Sequence, residues 1–312
     1  MTPPAPEGRE TTTVIALGGN ALTRPGERGT AAEQRANLRR TAEALRPLLA
    51  EGELVVTHGN GPQVGNELLR QERAAEEVPP LPLWLAVAQT QAEIGALIEA
   101  ELAPVAGRAV ACLLTHVRVD GADPAFGHPT KPIGPFYSEA RAKELERERG
   151  WVVTHDAGRG WRRVVPSPLP LEVIEIDAVR ALVAAGAIAV ACGGGGIPVA
   201  VENGRLAGID AVIDKDRASA LLAVELGAER LLLLTDVPGV YRAYGTPEQE
   251  EVRELSAAEA DALLPELAEG SIRPKVEAAA DFARRTGGEA LITSADVLAE
   301  ALSGQAGTRV IA

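Results

Sequence analysis

The sequence predicts an α/β protein built on a mostly parallel sheet covered by helices. Short runs of β-branched and aliphatic residues alternate along the chain with longer stretches whose apolar residues recur at three- and four-residue spacing. Several of the short runs end in glycine-bearing turns, as strands do where they hand over to a helix. At 312 residues and 46% hydrophobic content, the chain can bury a substantial core.

The expected strands, in order, are Thr13–Leu17, Leu54–Thr57, Arg108–Thr115, Ala187–Cys192, Leu231–Thr235 and Glu289–Thr293. The expected helices are Ala31–Leu49, Leu83–Leu102, Asp177–Ala185, Ala218–Glu225 and Lys275–Arg285. One segment, 119–170, breaks the alternation. It carries many Pro and Gly residues, the aromatics Phe126, Phe136 and Tyr137, a charged helical stretch, and Trp151 and Trp161. So long a departure from βα order reads as an inserted, protruding lid subdomain, with the tryptophans packing it. The polar, Pro-rich residues 1–12 read as a disordered tail ahead of a single domain over 13–312.

A net charge of −13 with no basic block argues against nucleic acid or an anionic membrane as the main partner. Two cysteines, Cys112 and Cys192, each end an apolar run and read as small core residues of a reduced compartment. With no signal-peptide pattern and no apolar run long enough to span a bilayer, the expectation is a soluble, cytoplasmic protein.

Lysine is scarce. Of 31 basic residues only four are lysines, and three of these lie in loops rich in Gly, Pro and Asp: Lys131, Lys215 and Lys275. The fourth, Lys143, sits in the charged helical stretch. An ammonium is a compact point charge where guanidinium is a flat fork, so lysines kept against such a bias suit point-charge work on a transferring group. A GC-rich genome and chance account for the count equally well.

Four glycine-bearing turns follow expected strands: Leu17-Gly18-Gly19-Asn20-Ala21, His58-Gly59-Asn60-Gly61-Pro62-Gln63-Val64-Gly65, Gly193-Gly194-Gly195-Gly196-Ile197-Pro198, and Thr235-Asp236-Val237-Pro238-Gly239-Val240. In an open parallel sheet, loops at the carboxyl ends of strands converge on the edge where ligands bind. Glycine lets backbone approach phosphate, and the following helix start offers N–H groups. None of these turns completes a P-loop or a dinucleotide fingerprint, so the cation for a phosphate site must come from elsewhere. Asp214-Lys215-Asp216 opens a helix; Asp216 could simply cap it, which leaves the lysine between two carboxylates unexplained. The four histidines show no metal-ligand spacing, and there is no nucleophile elbow.

Taken together, these stretches resemble the carbamate kinases of the amino acid kinase family. The blocks are Ala16–Leu22, Thr57–Gly65, Gln89-Thr90-Gln91, Lys131–Phe136, Arg162–Pro168, Cys192–Val199, Val212–Asp216, Gly270-Ser271 and Pro274-Lys275-Val276, collinear from about residue 14 onward. The resemblance implies a three-layer αβα sandwich with a mainly parallel central sheet, a protruding subdomain, a nucleotide-binding half over about 186–312, and a homodimer. It also implies reversible phosphoryl transfer between carbamoyl phosphate plus ADP and carbamate plus ATP, with Mg²⁺ carried on the nucleotide and no protein ligand assigned to the metal. Asn20 stands where many amino acid kinases carry a lysine, as it does in carbamate kinases. Arg273, where a small residue is usual, and Trp161, where Tyr is common, are departures.

On this reading Lys131 and Lys215 hold the transferring phosphoryl group, Lys275 lies near the nucleotide phosphates, and Asp216 orients the lysines. Gly18, Gly19, Asn20, Gly59, Asn60 and Gly61 line the substrate. Gly194, Gly195, Asp214, Thr235, Asp236, Val237, Tyr241 and Lys275 border the nucleotide. Two alternatives stay open: a relative phosphorylating another small carboxylate, and a catalytically idle nucleotide-binding regulator.

Overall fold

The computed structural model describes residues 11–156, 160–267 and 272–312. Most of the expected tail, Gly158-Arg159 and Gly270-Ser271 lie outside the described residues. An eight-stranded sheet runs in the order Glu254–Ser256, Thr308–Ile311, Glu289–Ser294, Arg230–Thr235, Thr12–Leu17, Glu53–His58, Ile188–Val190, Val110–Cys112. Every neighbouring pair is parallel except Glu289–Ser294 with Thr308–Ile311.

The central strand Thr12–Leu17 is buried along its whole length, and it begins at Thr12, inside the expected tail. Because successive side chains point to opposite faces, it feeds two cores. Val14 and Ala16 join one with Leu222 and Phe282, from the helices Lys215–Leu226 and Arg273–Thr286. Ile15 and Leu17 join the other with Leu45, Ile94 and Ile98, from the helices Ala31–Leu49 and Leu83–Ala106. Helices on both faces of one sheet make the three layers expected from the resemblance. Local chemistry marks the helix ends. Thr30 and Glu33 form a reciprocal capping box at the start of Ala31–Leu49, and Gly107, at φ 66°, closes Leu83–Ala106.

Within the segment that breaks the alternation, Lys131–Tyr137, Gly160–Val165 and Val152–Asp156 pair antiparallel in a separate three-stranded sheet beside the helix Glu139–Arg149. Trp151 packs edge-on to Tyr137 at 6.0 Å and lies under the Arg163 guanidinium at 4.7 Å, while Trp161 packs on His155 at 5.4 Å. This arm rests on the helix Gly61–Ala74, whose start occupies the place of the turn expected over His58–Gly65. There the backbones touch: a Cβ added at Gly65 would sit 2.0 Å from Gly134 Cα. Glu72 of the same helix pairs with Arg149 and, at 3.7 Å, with Arg163.

Candidate active site

The strands Thr12–Leu17, Glu53–His58, Ile188–Val190 and Arg230–Thr235 run parallel, so the turns that follow them gather at one edge. They are packed closely, Gly18 on the Leu234 backbone and Gly194 on the Asn60 side-chain carboxamide. A Cβ on Gly18 would lie 2.5 Å from Leu234 O, and one on Gly194 would lie 2.3 Å from the Asn60 amide nitrogen. Gly194 and Gly195, at φ 65° and 91°, also adopt a conformation that side-chain-bearing residues rarely take.

The three loop lysines meet at this edge. Asp214 is the N-cap of the helix Lys215–Leu226: its Oδ1 accepts from Asp216 N at 2.9 Å and Arg217 N at 3.3 Å. Its Oδ2 accepts from Lys131 Nζ at 2.5 Å. The capping role that the sequence allowed to Asp216 therefore belongs to Asp214. Asp216 is freed for tertiary contacts, accepting Lys215 Nζ at 2.6 Å on Oδ1 and Lys275 Nζ at 3.2 Å on Oδ2. Lys275 comes from the first turn of Arg273–Thr286, and Lys131 opens the arm strand Lys131–Tyr137. Among the described residues, three ammonium groups from three elements thus converge on the carboxylates of Asp214 and Asp216.

Burial works to raise the Asp214 carboxyl, but the charges of Lys131, Lys215 and Lys275 overcome it and hold the group well below the carboxylate range. Asp216 is lowered in the same way, burial being outweighed by Lys215 and Lys275. Burial pushes Lys215 down despite Asp216, whereas for Lys275 the two aspartates outweigh burial and raise it.

Gly59 lies along the Lys215 stem, where an added Cβ would be 3.1 Å from Lys215 Cδ. Gly61 lies beside Pro132, the neighbour of Lys131: a Cβ there would be 3.5 Å from Pro132 O. Gly19 and Asn20 form a short 3₁₀ turn above Gly18. On the other flank, Thr235 Oγ1 donates to Asp236 Oδ1 at 3.0 Å, and the charge of Asp236 reaches Lys275. Val237 follows in the same exposed-edge turn. Tyr241 lies on the two-stranded ribbon of Val240–Arg242 and Glu250–Val252, its ring 5.8 Å from Tyr244. Its charged neighbours are Glu251 and Arg253 rather than the lysines. Arg273, the unusual cation next to Lys275, is paired with Glu277 at 3.3 Å, and Glu277 also accepts from Arg217 at 2.8 Å.

Sequence reasoning gave His58 no role, because spacing alone cannot reveal its surroundings. The ring is wholly buried, its Nδ1 lies 3.1 Å from Gly59 O, and its Nε2 has no hydrogen-bond partner among the described residues. Burial and the nearby Lys215 charge lower its pKa to about 4 against the pull of the Gly59 carbonyl, so the imidazole is neutral near pH 7.

Known proteins share this architecture. The amino acid kinase family matches residues 11–294. A carbamate kinase of Pyrococcus horikoshii is 45% identical over 95% of this chain and 98% of its own. The carbamate kinase of Giardia lamblia bound to citric acid superposes with a TM-score of 0.91 at 39% identity, covering 97% of this chain and 98% of that one. The same Giardia enzyme bound to AMP-PNP gives 0.87 at 39% identity over the same shares. By sequence along nearly its full length and by fold, the chain belongs to the amino acid kinase family.

Proposed function

We propose that the chain catalyses reversible phosphoryl transfer between carbamoyl phosphate plus ADP and carbamate plus ATP, the reaction of the carbamate kinases it resembles. The observation that carries the reading is the cluster of Lys131, Lys215 and Lys275 on Asp214 and Asp216 at the carboxyl edge of the sheet. Phosphoryl transfer asks mainly for alignment and for fixed charge around the moving group. Lys131 and Lys215 hold that group, and Lys275 the nucleotide phosphates. Asp216 keeps two of the ammoniums aimed. Backbone N–H groups of Gly18, Gly19, Asn20, Gly59, Asn60 and Gly61 surround the phosphoryl and carbamate side. Gly194, Gly195, Asp214, Thr235, Asp236, Val237 and Tyr241 border the nucleotide.

Mg²⁺ fits as a companion of the nucleotide. Asp214 and Asp216 are engaged with lysines, and the third aspartate of the site, Asp236, accepts from Thr235. The ion bound to nucleotide phosphates adds charge neutralisation there. The three-stranded arm within 119–170 serves as a lid over the site, and the active assembly is a homodimer, which sedimentation of the purified chain tests.

The reaction is tested by coupled assay of ATP formation from ADP and carbamoyl phosphate, run beside glutamate- and acetylglutamate-dependent ATP consumption. ATP formation in the first assay alone supports the reading. Turnover only with an amino acid substrate, or nucleotide binding without turnover, overturns it.

A further inference from the structure

Asn60 is the N-cap of the helix Gly61–Ala74, yet its side chain does not cap that helix. Asparagine at this position ordinarily accepts from an N–H of the first turn. Here the amide turns away, and Nδ2 donates to Thr90 Oγ1 at 2.9 Å. The Thr90 hydroxyl proton goes to the carbonyls of Ala86 and Val87, each at 3.0 Å, which leaves its oxygen as an acceptor facing Asn60. Both residues are buried, Thr90 completely.

The next residue of the same helix closes the other side. Gln91 Nε2 donates to Gly193 O at 2.9 Å, and its Oε1 accepts from Thr115 N at 2.7 Å. This fixes the glycine turn whose Gly194 lies against the Asn60 amide. Asn60 is therefore gripped between Thr90 and a turn anchored by Gln91.

We propose that Thr90 is a positioning residue that prevents Asn60 from capping its own helix, so that the first-turn N–H groups stay available to the anionic substrate. The proposal rests on the phosphoryl-transfer reading above. A helix start with N–H groups unspent is an anion site, and one occupied by its own N-cap carboxamide is weaker for that purpose. Pro62 at the second position of the helix has no N–H, so the released amide has Gln63 N as its natural target.

The test compares Thr90→Val, which keeps the shape and removes the acceptor, with Thr90→Ser, which keeps the acceptor. For Thr90→Val, kcat/KM for carbamoyl phosphate is expected to fall about 10-fold while the Kd for ADP stays within about 2-fold. Thr90→Ser is expected to retain turnover within about 3-fold of the parent. A merely structural role would instead lower the melting temperature and affect both ligands together. Should Thr90→Val fail to fold, Thr90→Cys, with its weak sulfur acceptor, is expected to fall between the other two. A valine or cysteine variant matching the parent, or a serine variant as impaired as valine, overturns the proposal. A second measurement is independent of turnover. The Asn60 side-chain amide protons, followed by NMR, should exchange at least about 10-fold faster in Thr90→Val than in the parent. Equal exchange overturns the proposal even if the parent proves to catalyse another reaction, and absent parental turnover of carbamoyl phosphate overturns only the assigned reaction.

Discussion

Lys131 and Asp214, 83 positions apart in the chain, meet in a 2.5 Å ion pair that joins the protruding arm to the helix start at the sheet edge. The same aspartate caps that helix through its other oxygen. Losing Lys131 should therefore be felt in the carboxylate as well as in turnover. In Lys131→Met, the Asp214 carboxyl is expected to titrate closer to its ordinary 3.8, as followed by carboxyl-carbon NMR, and kcat to fall about 10²–10³-fold. An unmoved Asp214 titration would remove the ion pair from the account.

Lys215→Arg keeps the charge but substitutes a fork for a point. Turnover is expected to fall about 10²–10³-fold in steady-state assays. Lys143→Arg is the control: the exposed Lys143 pairs with Glu139 one helical turn earlier, away from the site, and its variant should match the parent. Because burial lowers the Lys215 pKa and the lysine must be protonated to act, parental activity should decline with rising pH before 10.5 is reached.

Asp216→Asn removes the carboxylate shared by Lys215 and Lys275 and leaves two buried ammoniums facing each other. Breaking buried pairs on one side costs about 3–5 kcal/mol, and a loss of that size is expected in urea denaturation at pH 7. Stability unchanged from the parent would mean that the lysines find other counter-charges.

His58 predicts a pH-dependent stability of definite sign. Its folded pKa of about 4 lies below the ordinary 6.5, so between these values the unfolded chain binds the proton and the folded chain does not. Stability should drop as pH falls from 6.5 toward 4, by up to about 3 kcal/mol. In His58→Gln that part of the slope should vanish in denaturation series run at pH 7 and pH 4.5. A slope identical to the parent's would assign it to other groups.

Gly65→Ala drives a methyl into the Gly134 backbone, which has no flexible side-chain end to yield. The arm must shift on its supporting helix, and with it Lys131. A displacement of this kind can cost about 10² in kcat, expected here with little change in ADP affinity.

Much of the sheet is legible because its strands are apolar runs too strong to read otherwise. Arg230–Thr235 and Glu289–Ser294 differ from expectation by one residue at one end. The run expected over Arg108–Thr115 shortens to Val110–Cys112, since Thr115 N is taken by Gln91 rather than by a neighbouring strand. The helix Gly61–Ala74 is hidden because Gly61, Pro62 and Gly65 look like turn residues, and the need for Gly65 arises only from the arm packed on it. The short strands Glu254–Ser256 and Thr308–Ile311 carry too few residues for a period to show.

At the site, the scarcity of lysine pointed to Lys131, Lys215 and Lys275, and the structure draws all three together. Their pairing was not readable. Local rules permit either aspartate to cap the helix, and only the approach of Lys275 from a distant helix turn decides that Asp216 faces inward. His58 and Thr90 fall within blocks that carry the family resemblance, but their roles are not readable there, because a buried ring and a helical hydroxyl acquire meaning from neighbours remote in sequence.

Lysine rarity also gives the chain a chemical selectivity. The Lys131, Lys215 and Lys275 side chains are 26%, 12% and 10% exposed at the site, whereas the Lys143 side chain, although paired with Glu139, is 59% exposed on the helix of the arm. An acylating ester applied to the folded chain will tag Lys143 ahead of the other three lysines. A fluorophore delivered this way sits on the arm without any engineered cysteine, where its distance to a labelled nucleotide would report whether the arm moves.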